Sequence, residues 1–188
     1  MKKLLLLLLI YFPLRLQAQD SEFNPPRWKN LSRGYVYGML HQDKFGGGIT
    51  YDYGFNKYLA AGLGVEFTSF EDHLLIPTFI DLKARYPFGK FEPFINGQFG
   101  YNNYRVTYQY HYSDNNGNPA TTNYQKTGKL FYGVGAGVSY LFGHIGVFAS
   151  YTFRGYTYKY ASFTANNSVV SFPDDKPTAN LISAGIVF

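Results

Sequence analysis

The amino-acid sequence predicts an all-β chain, an eight-stranded antiparallel up-and-down transmembrane β-barrel after an N-terminal signal peptide. Three observations carry the prediction: eight segments of alternating hydrophobicity, an aromatic content of 20% with 19 Tyr and 18 Phe, and one short apolar run near the start. Alternation with period two is the pattern of a strand whose two faces meet different surroundings. The aromatic excess needs an interface to occupy, as in the girdles that flank a membrane-spanning barrel.

At the N-terminus, Lys2 and Lys3 precede the apolar run Leu4 to Phe12, which ends in Leu16-Gln17-Ala18-Gln19. This is the order of a secretory signal cut after Ala18. The run is too short to cross a bilayer as a helix, which takes about 20 residues. The expected organisation is therefore signal peptide 1–18, polar lead-in 19–32 and barrel 33–188. Taking Lys2, Lys3 and Arg15 from the 17 basic residues leaves 14 against 12 acidic, a net charge of +2. No basic stripe accompanies that balance, so no nucleic-acid partner is expected. The chain has no cysteine, which excludes disulfides and a lipoprotein anchor.

Strands are expected near 33–42, 45–53, 58–69, 74–86, 91–105, 128–142, 145–158 and 179–188. The turns Gly54-Phe55-Asn56-Lys57, Pro87-Phe88-Gly89-Lys90 and Phe142-Gly143-His144 fall on one side and carry the Gly, Asn and Pro of tight reversals. On the other side two connections are short, but 106–127 and 159–178 are long. Short turns at one end and longer loops at the other is the outer-membrane arrangement.

Parity sorts the side chains. Leu59, Ala61, Leu63, Val65 and Phe67 share one face of the third strand, opposite Ala60, Gly62, Gly64, Glu66 and Thr68. In the sixth, Leu130, Tyr132, Val134, Ala136, Val138 and Tyr140 stand opposite Gly133, Gly135, Gly137 and Ser139. A wall of Gly, Ser and charge is no hydrophobic core, so the apolar face turns to lipid. The sheet must then close, because an open edge in hydrocarbon leaves backbone groups unpaired at several kcal/mol each. Girdles are expected from Tyr53, Tyr58, Tyr86, Phe91, Tyr140, Phe142 and Phe188 at the short-turn end, and from Tyr101, Tyr104 and Tyr132 at the other.

The same parity turns Asp52, Glu66, Asp81, Lys83, Arg85, Glu92 and Arg154 inward, joined by Asn96, Gln98 and Asn102. Four acids and three bases in a narrow lumen are expected to form a nearly neutral plug, with Arg85 among the groups that neutralise the carboxylates. The rival reading is an ion path or an acid/base site on Glu66 or Glu92.

With the export signal, the strand pattern and Phe188 as last residue, the chain resembles the small eight-stranded outer-membrane barrels of the OmpX and OmpA-transmembrane type. The resemblance implies location in the outer membrane of a Gram-negative bacterium, in contact with outer-membrane lipid and lipopolysaccharide. It further implies that Phe188 is an assembly signal read by the barrel assembly machinery, with periplasmic chaperones as transit partners. It implies no cofactor and no enzymatic activity, but a role for surface loops in adhesion, defence or envelope integrity. Two other resemblances compete: an OmpW-like narrow conduit for small hydrophobic molecules, which the inward charge belt opposes, and a lipid A deacylase of the PagL type. The latter would use His111, Ser113 and Asp114, yet no Glu follows Glu92 as that family requires.

Asp114, Asn116 and Asn118 have the spacing of a calcium loop, but Pro119 stands where such loops need Gly, and no metal site is expected. Asp72-His73 is an isolated loop pair. The most suggestive stretch is Tyr101 to Tyr112, which alternates beyond the 9–11 residues that cross a bilayer. If it projects as a hairpin, Tyr108, Tyr110 and Tyr112 form one face, a candidate surface for a protein ligand, and Thr107, Gln109 and His111 the other. On the assembly reading, deleting Phe188 lowers the amount of protein in the outer membrane and leaves chain in the periplasm, whereas deleting the loop residue Asn166 does not. Fractionation and immunoblotting check this.

Overall fold

The computed structural model describes residues 31–71 and 73–188. The expected signal peptide, most of the expected lead-in and Asp72 lie outside the described residues. The described chain is all-β, with strands β1 Arg33–His41, β2 Lys44–Gly54, β3 Leu59–Phe70, β4 His73–Arg85, β5 Phe91–Asn103, β6 Arg105–Ser113, β7 Pro119–Phe142, β8 Ile145–Tyr160, β9 Phe163–Ala165, β10 Ser168–Val170 and β11 Thr178–Val187. Each barrel strand pairs antiparallel with its neighbours. The wall closes because β11 lies between β8 and β1 while β5 pairs with β7. β6 carries the line of β5 past a break at Tyr104, so the barrel has eight staves.

Closure is completed where the two ends of the barrel meet. Gly34 and Phe188 exchange backbone hydrogen bonds of 2.8 and 3.0 Å. The Phe188 ring lies so close over Gly34 that a Cβ there would stand 2.5 Å from it. Absence of a side chain at Gly34 is thus what lets the terminal aromatic fold across the seam.

The outer wall is apolar: Leu63, Ile80, Val134, Tyr151 and Ile182 are each about half exposed or more, although nothing in the described chain covers them. A belt of this size has no aqueous use and is the surface of a barrel that spans a bilayer. Tyr53, Phe91, Phe142 and Phe188 ring the short-turn end and Tyr101 and Tyr132 the other. Tyr104 departs from the expected girdle. It is buried in the lumen, because inward parity runs unbroken from Glu92 through Asn102 to Tyr104.

Two further differences shape the outer end. β6 and β7 form an ordered hairpin from Arg105 to Thr127, so β7 is one strand of 24 residues instead of a barrel strand after a loop. A register irregularity between Gly128 and Phe131 exchanges the inward set from Lys126 and Gly128 to Phe131 and Gly133. A bulge of this kind adds a residue to one strand and bends it, which separates the membrane-spanning part of β7 from its projecting part.

The lumen is filled in tiers. Tyr35, Phe94, Leu141, Phe148 and Val187 pack at the short-turn end. Met39, Leu75, Phe79, Phe131, Tyr156 and Leu181 pack towards the other. The interior is therefore not only Gly, Ser and charge; aromatic tiers alternate with polar ones. The inward glycines make this possible: a Cβ on Gly64 would meet the Phe79 ring at 2.4 Å, and one on Gly137 the Phe94 ring at 2.5 Å.

Candidate functional site

Buried charge in the lumen falls into three groups. In the middle, Arg154 of β8 reaches across to Glu66 of β3 through two bonds, Nη1 to Oε2 at 2.5 Å and Nη2 to Oε1 at 2.8 Å. Gln98 Oε1 accepts from Nε at 2.9 Å, and Tyr37 donates its hydroxyl to Glu66 at 2.7 Å. The guanidinium also lies near the Phe79 and Phe131 rings, 5.2 and 5.0 Å from their centroids. Such a bidentate, ring-flanked arginine is held in one orientation.

Below it, Lys83 Nζ lies 2.7 Å from Asp52 and 3.3 Å from Asp81, and 3.7 Å from the centre of the Tyr35 ring. Asn96 donates to the other Asp81 oxygen at 2.7 Å. At the short-turn end, Arg33 pairs with Glu92 at 2.7 Å. Arg33 stands on the first residue of β1, where the alternating pattern had not yet declared itself. With it the set buried between the membrane-spanning strands is Arg33, Lys83, Arg85 and Arg154 against Asp52, Glu66, Asp81 and Glu92, equal in charge; Lys126, the other buried base, lies at the outer mouth.

Arg85 departs from its expected role. Its Nη2 donates to the backbone carbonyl of Leu31, and no carboxylate pair forms to it among the described residues. The lead-in segment thus supplies a partner that parity alone does not reveal. Beside these tiers the lumen holds a polar space of only about 30 Å³, bordered by Tyr37, Glu66, Lys83 and Asn96. That is room for one or two waters.

The outer mouth is closed by a group that sequence reasoning missed. Lys126, buried, lies 2.8 Å from Glu71 and 3.1 Å from Asp175. Tyr108 donates to Glu71 at 2.8 Å, and Tyr158 and Phe70 flank the amino group. Burial acts against the charge of both partners, yet their attraction prevails. Hydrogen bonds from Lys126 and Tyr108 hold the Glu71 carboxyl below its usual range, and Glu71 and Asp175 push the Lys126 ammonium up. One lysine so ties the β3–β4 turn and the 161–178 loop to β7.

The tyrosine face of the hairpin is the inner one. Tyr108, Tyr110 and Tyr112 are half-buried, and Tyr110 and Tyr124 pack against Phe163 at 5.0 and 5.4 Å and against Phe172 at 6.3 and 5.2 Å. The expected docking face is covered because the second long loop folds over it, with β9 and β10 as a small ribbon of its own. Phe163 and Phe172 in that loop were the available signal. Thr107, Gln109 and His111 form the exposed face with Thr121, Asn123 and Gln125.

Among the described residues His111 has no hydrogen bond to Ser113 or Asp114. Its Nδ1 lies 3.0 Å from Thr121 Oγ1, across the ribbon. Asp114 spends its carboxylate on the backbone N–H groups of Asn116 and Asn118, both at 2.8 Å, which shapes the hairpin tip.

Belt, closure and filled lumen define a membrane-spanning eight-stranded β-barrel. No family model and no curated protein sequence gives a match to this chain. Among solved structures it is similar to a de novo designed transmembrane β-barrel, at 14% identity and TM-score 0.50 over 89% of this chain and 98% of that one. Weaker likenesses are to the N-terminal barrel domain of Pseudomonas aeruginosa OprF, with 12% identity, TM-score 0.47 and coverage of 85% and 98%, and to Neisserial surface protein A, with 14%, 0.47, 83% and 92%. At these identities the likeness is one of fold.

Arg154→Ala is expected to lower stability by about 3–5 kcal/mol, because Glu66 is left buried without its counter-charge. Arg85→Ala is expected to cost less, since its described partner is a carbonyl. Urea unfolding in lipid measures both, and the reverse ranking overturns the assignment. The mouth predicts a pH effect. Glu71, lowered in the folded state, contributes fully above its unfolded value of about 4.3, and that contribution is lost as pH falls through the folded value. Lys126, raised, contributes fully below about 10.4 and loses its contribution only above that. The 161–178 loop should therefore resist protease near neutral pH and yield to pepsin at about pH 3, whereas in Lys126→Met it should yield at both.

Proposed function

We propose that this chain is a non-enzymatic outer-membrane barrel of a Gram-negative bacterium that presents a rigid surface ribbon to a protein ligand, in adhesion, defence or envelope integrity. The observation that carries the reading is the contrast between a lumen occupied by paired charge and aromatic tiers and an outer end built as a braced hairpin with a free edge. β6 pairs with β7 alone. The bonds Gly128 N to Tyr104 O and Asp114 N to Asn118 O, both 2.8 Å, fix which residues face β7. By parity Arg105, Thr107, Gln109 and His111 turn their backbone N–H and C=O groups outward. Among the described residues Ser113, at the tip, has its carbonyl engaged, by Asn166 at 2.8 Å.

Proteins usually blunt such an edge with Pro, inward charge or a bulge. The edge from Arg105 to Ser113 has none of these. An unblunted, braced edge suits the addition of a partner strand, which supplies affinity through main-chain bonds. The filled lumen weighs against a conduit.

Gln109→Pro removes an N–H that β7 does not use, so the protein should keep its heat-modifiable gel mobility while cells expressing it lose adhesion to immobilised serum and matrix proteins. Planar bilayers with the parent protein should show no sustained conductance. Undiminished adhesion of the Gln109→Pro cells would move the activity away from this edge, and a steady conductance would favour the conduit.

A further inference from the structure

Strands β5 to β8 carry five bases, Arg105, Lys126, Lys129, Arg154 and Lys159, and a single acid, Glu92. Three of these six groups are buried and paired: Glu92 with Arg33, Lys126 with Glu71 and Asp175, and Arg154 with Glu66. The other three are all bases. Arg105 and Lys159 are exposed and Lys129 is half-buried.

Register brings them together on the outer face. Arg105 pairs with Thr127 and Thr127 with Lys159, so the three form one row across β6, β7 and β8. Their neighbours Val106, Lys126 and Tyr158 are buried inside, which turns the row outward. With strands about 4.8 Å apart, the two charges stand roughly 10 Å from each other. The bulge in β7 adds the third base. Gly128 pairs with Tyr158 and Phe131 with Tyr156, so Lys129 and Leu130 together oppose Thr157. Because Gly128 and Phe131 both turn inward, Lys129 and Leu130 share the outer face. A regular strand would have sent one of the two into the lumen.

The row also has a defined depth. Leu130 pairs with Tyr101, and Tyr132 follows on the same face. A Cβ on Gly155 would stand 2.7 Å from the Tyr132 ring, so that ring lies across β8. Both tyrosines belong to the outer girdle, which marks the boundary between hydrocarbon and headgroups. On β7, Lys129 is one residue and Thr127 three residues beyond Leu130, about 3 and 10 Å along the strand. Among the described residues no ion pair engages Arg105 or Lys129. Lys159 lies 3.9 Å from Asp174, and both are exposed, so water and salt weaken that contact.

Three bases at headgroup depth, above an apolar wall, match an amphiphile with phosphate on its polar end. We propose that this face binds the phosphorylated headgroup of an outer-leaflet glycolipid, the lipid A part of lipopolysaccharide. Arg105, Lys129 and Lys159 engage the phosphates, and the acyl chains lie over Leu130 and Tyr132. Arginine offers phosphate a planar fork and lysine a point charge. The inference rests on the outer-membrane reading and not on the free edge of β6.

Native mass spectrometry of the full chain refolded in detergent tests it, with bisphosphorylated lipid A and its dephosphorylated form as probes. The parent should retain the bisphosphorylated form about a hundredfold better, and inorganic phosphate at the same concentration should not displace it. Arg105→Gln with Lys129→Gln should lower retention of the bisphosphorylated form about thirtyfold and leave the dephosphorylated form unaffected. Lys176→Gln, in the loop outside the row, should change neither. Heat-modifiable mobility reports folding; if the double variant does not fold, each single variant is read instead, with about a fivefold loss. The proposal is overturned if the parent does not distinguish the two forms, if the variants retain lipid A as the parent does, or if inorganic phosphate displaces it, which marks a site for a soluble anion. Cell fractionation reads the location separately. A chain absent from the outer membrane overturns that reading and this inference with it, whereas a chain in the outer membrane that fails the lipid arms overturns this inference alone.

Discussion

Backbone hydrogen bonding in hydrocarbon is the constraint on which the rest of this structure depends. No water is present in the bilayer core to receive an unpaired N–H or C=O, so a sheet that crosses it must have no edge. The chain meets that requirement by bringing β11 back to β1, and the join is delicate because both strands are chain-terminal in the barrel. Phe188 and Gly34 close it together: the glycine contributes space and both contribute backbone bonds. Once the wall is closed, every strand has an inside and an outside, and period-two alternation becomes a rule about two solvents.

Closure with eight staves also fixes how little room the interior has. Several large and charged side chains enter opposite glycine: Phe79, Phe94 and Arg154 lie against Gly64, Gly137 and Gly133. Charge in such a space is costly unless matched. The four bases and four acids balance in sum: Arg33–Glu92 and Arg154–Glu66 are direct pairs, Lys83 lies between Asp52 and Asp81, and Arg85 turns to the Leu31 carbonyl. Aromatic tiers lie above and below the middle group. The Arg154–Glu66 bridge is a strut between opposite walls.

Beyond the bilayer the same strands lose their hydrocarbon solvent and the pattern changes meaning. Along β6 and the outer part of β7 the apolar face no longer needs lipid; it needs another piece of protein. Phe163 and Phe172 supply it, and Lys126 pins the arrangement to the mouth through Glu71 and Asp175. The bulge after Gly128 marks the passage between the two regimes. Among the described residues β6 pairs with β7 alone, which leaves its other edge without a neighbouring strand.

Much of this was determined by the sequence itself. Alternation is local, so the apolar face of β3 or β7, the inward position of Glu66 or Arg154 and the short turns with Gly, Asn and Pro can be read from neighbours two residues apart. The ends of the chain were legible too, since Phe188 continues the outward row of Ile182, Ala184 and Ile186. What only the tertiary structure decided depends on residues far apart meeting. Arg33 joins Glu92 over a separation of 59 residues, Arg154 joins Glu66 over 88, and Arg85 turns to the Leu31 carbonyl. No period predicts these pairings, because a barrel sets each side chain against three walls at once. The same reason hid the cover over Tyr108 and Tyr110: parity says that a face is apolar, but which distant loop buries it is settled only when the loop folds back.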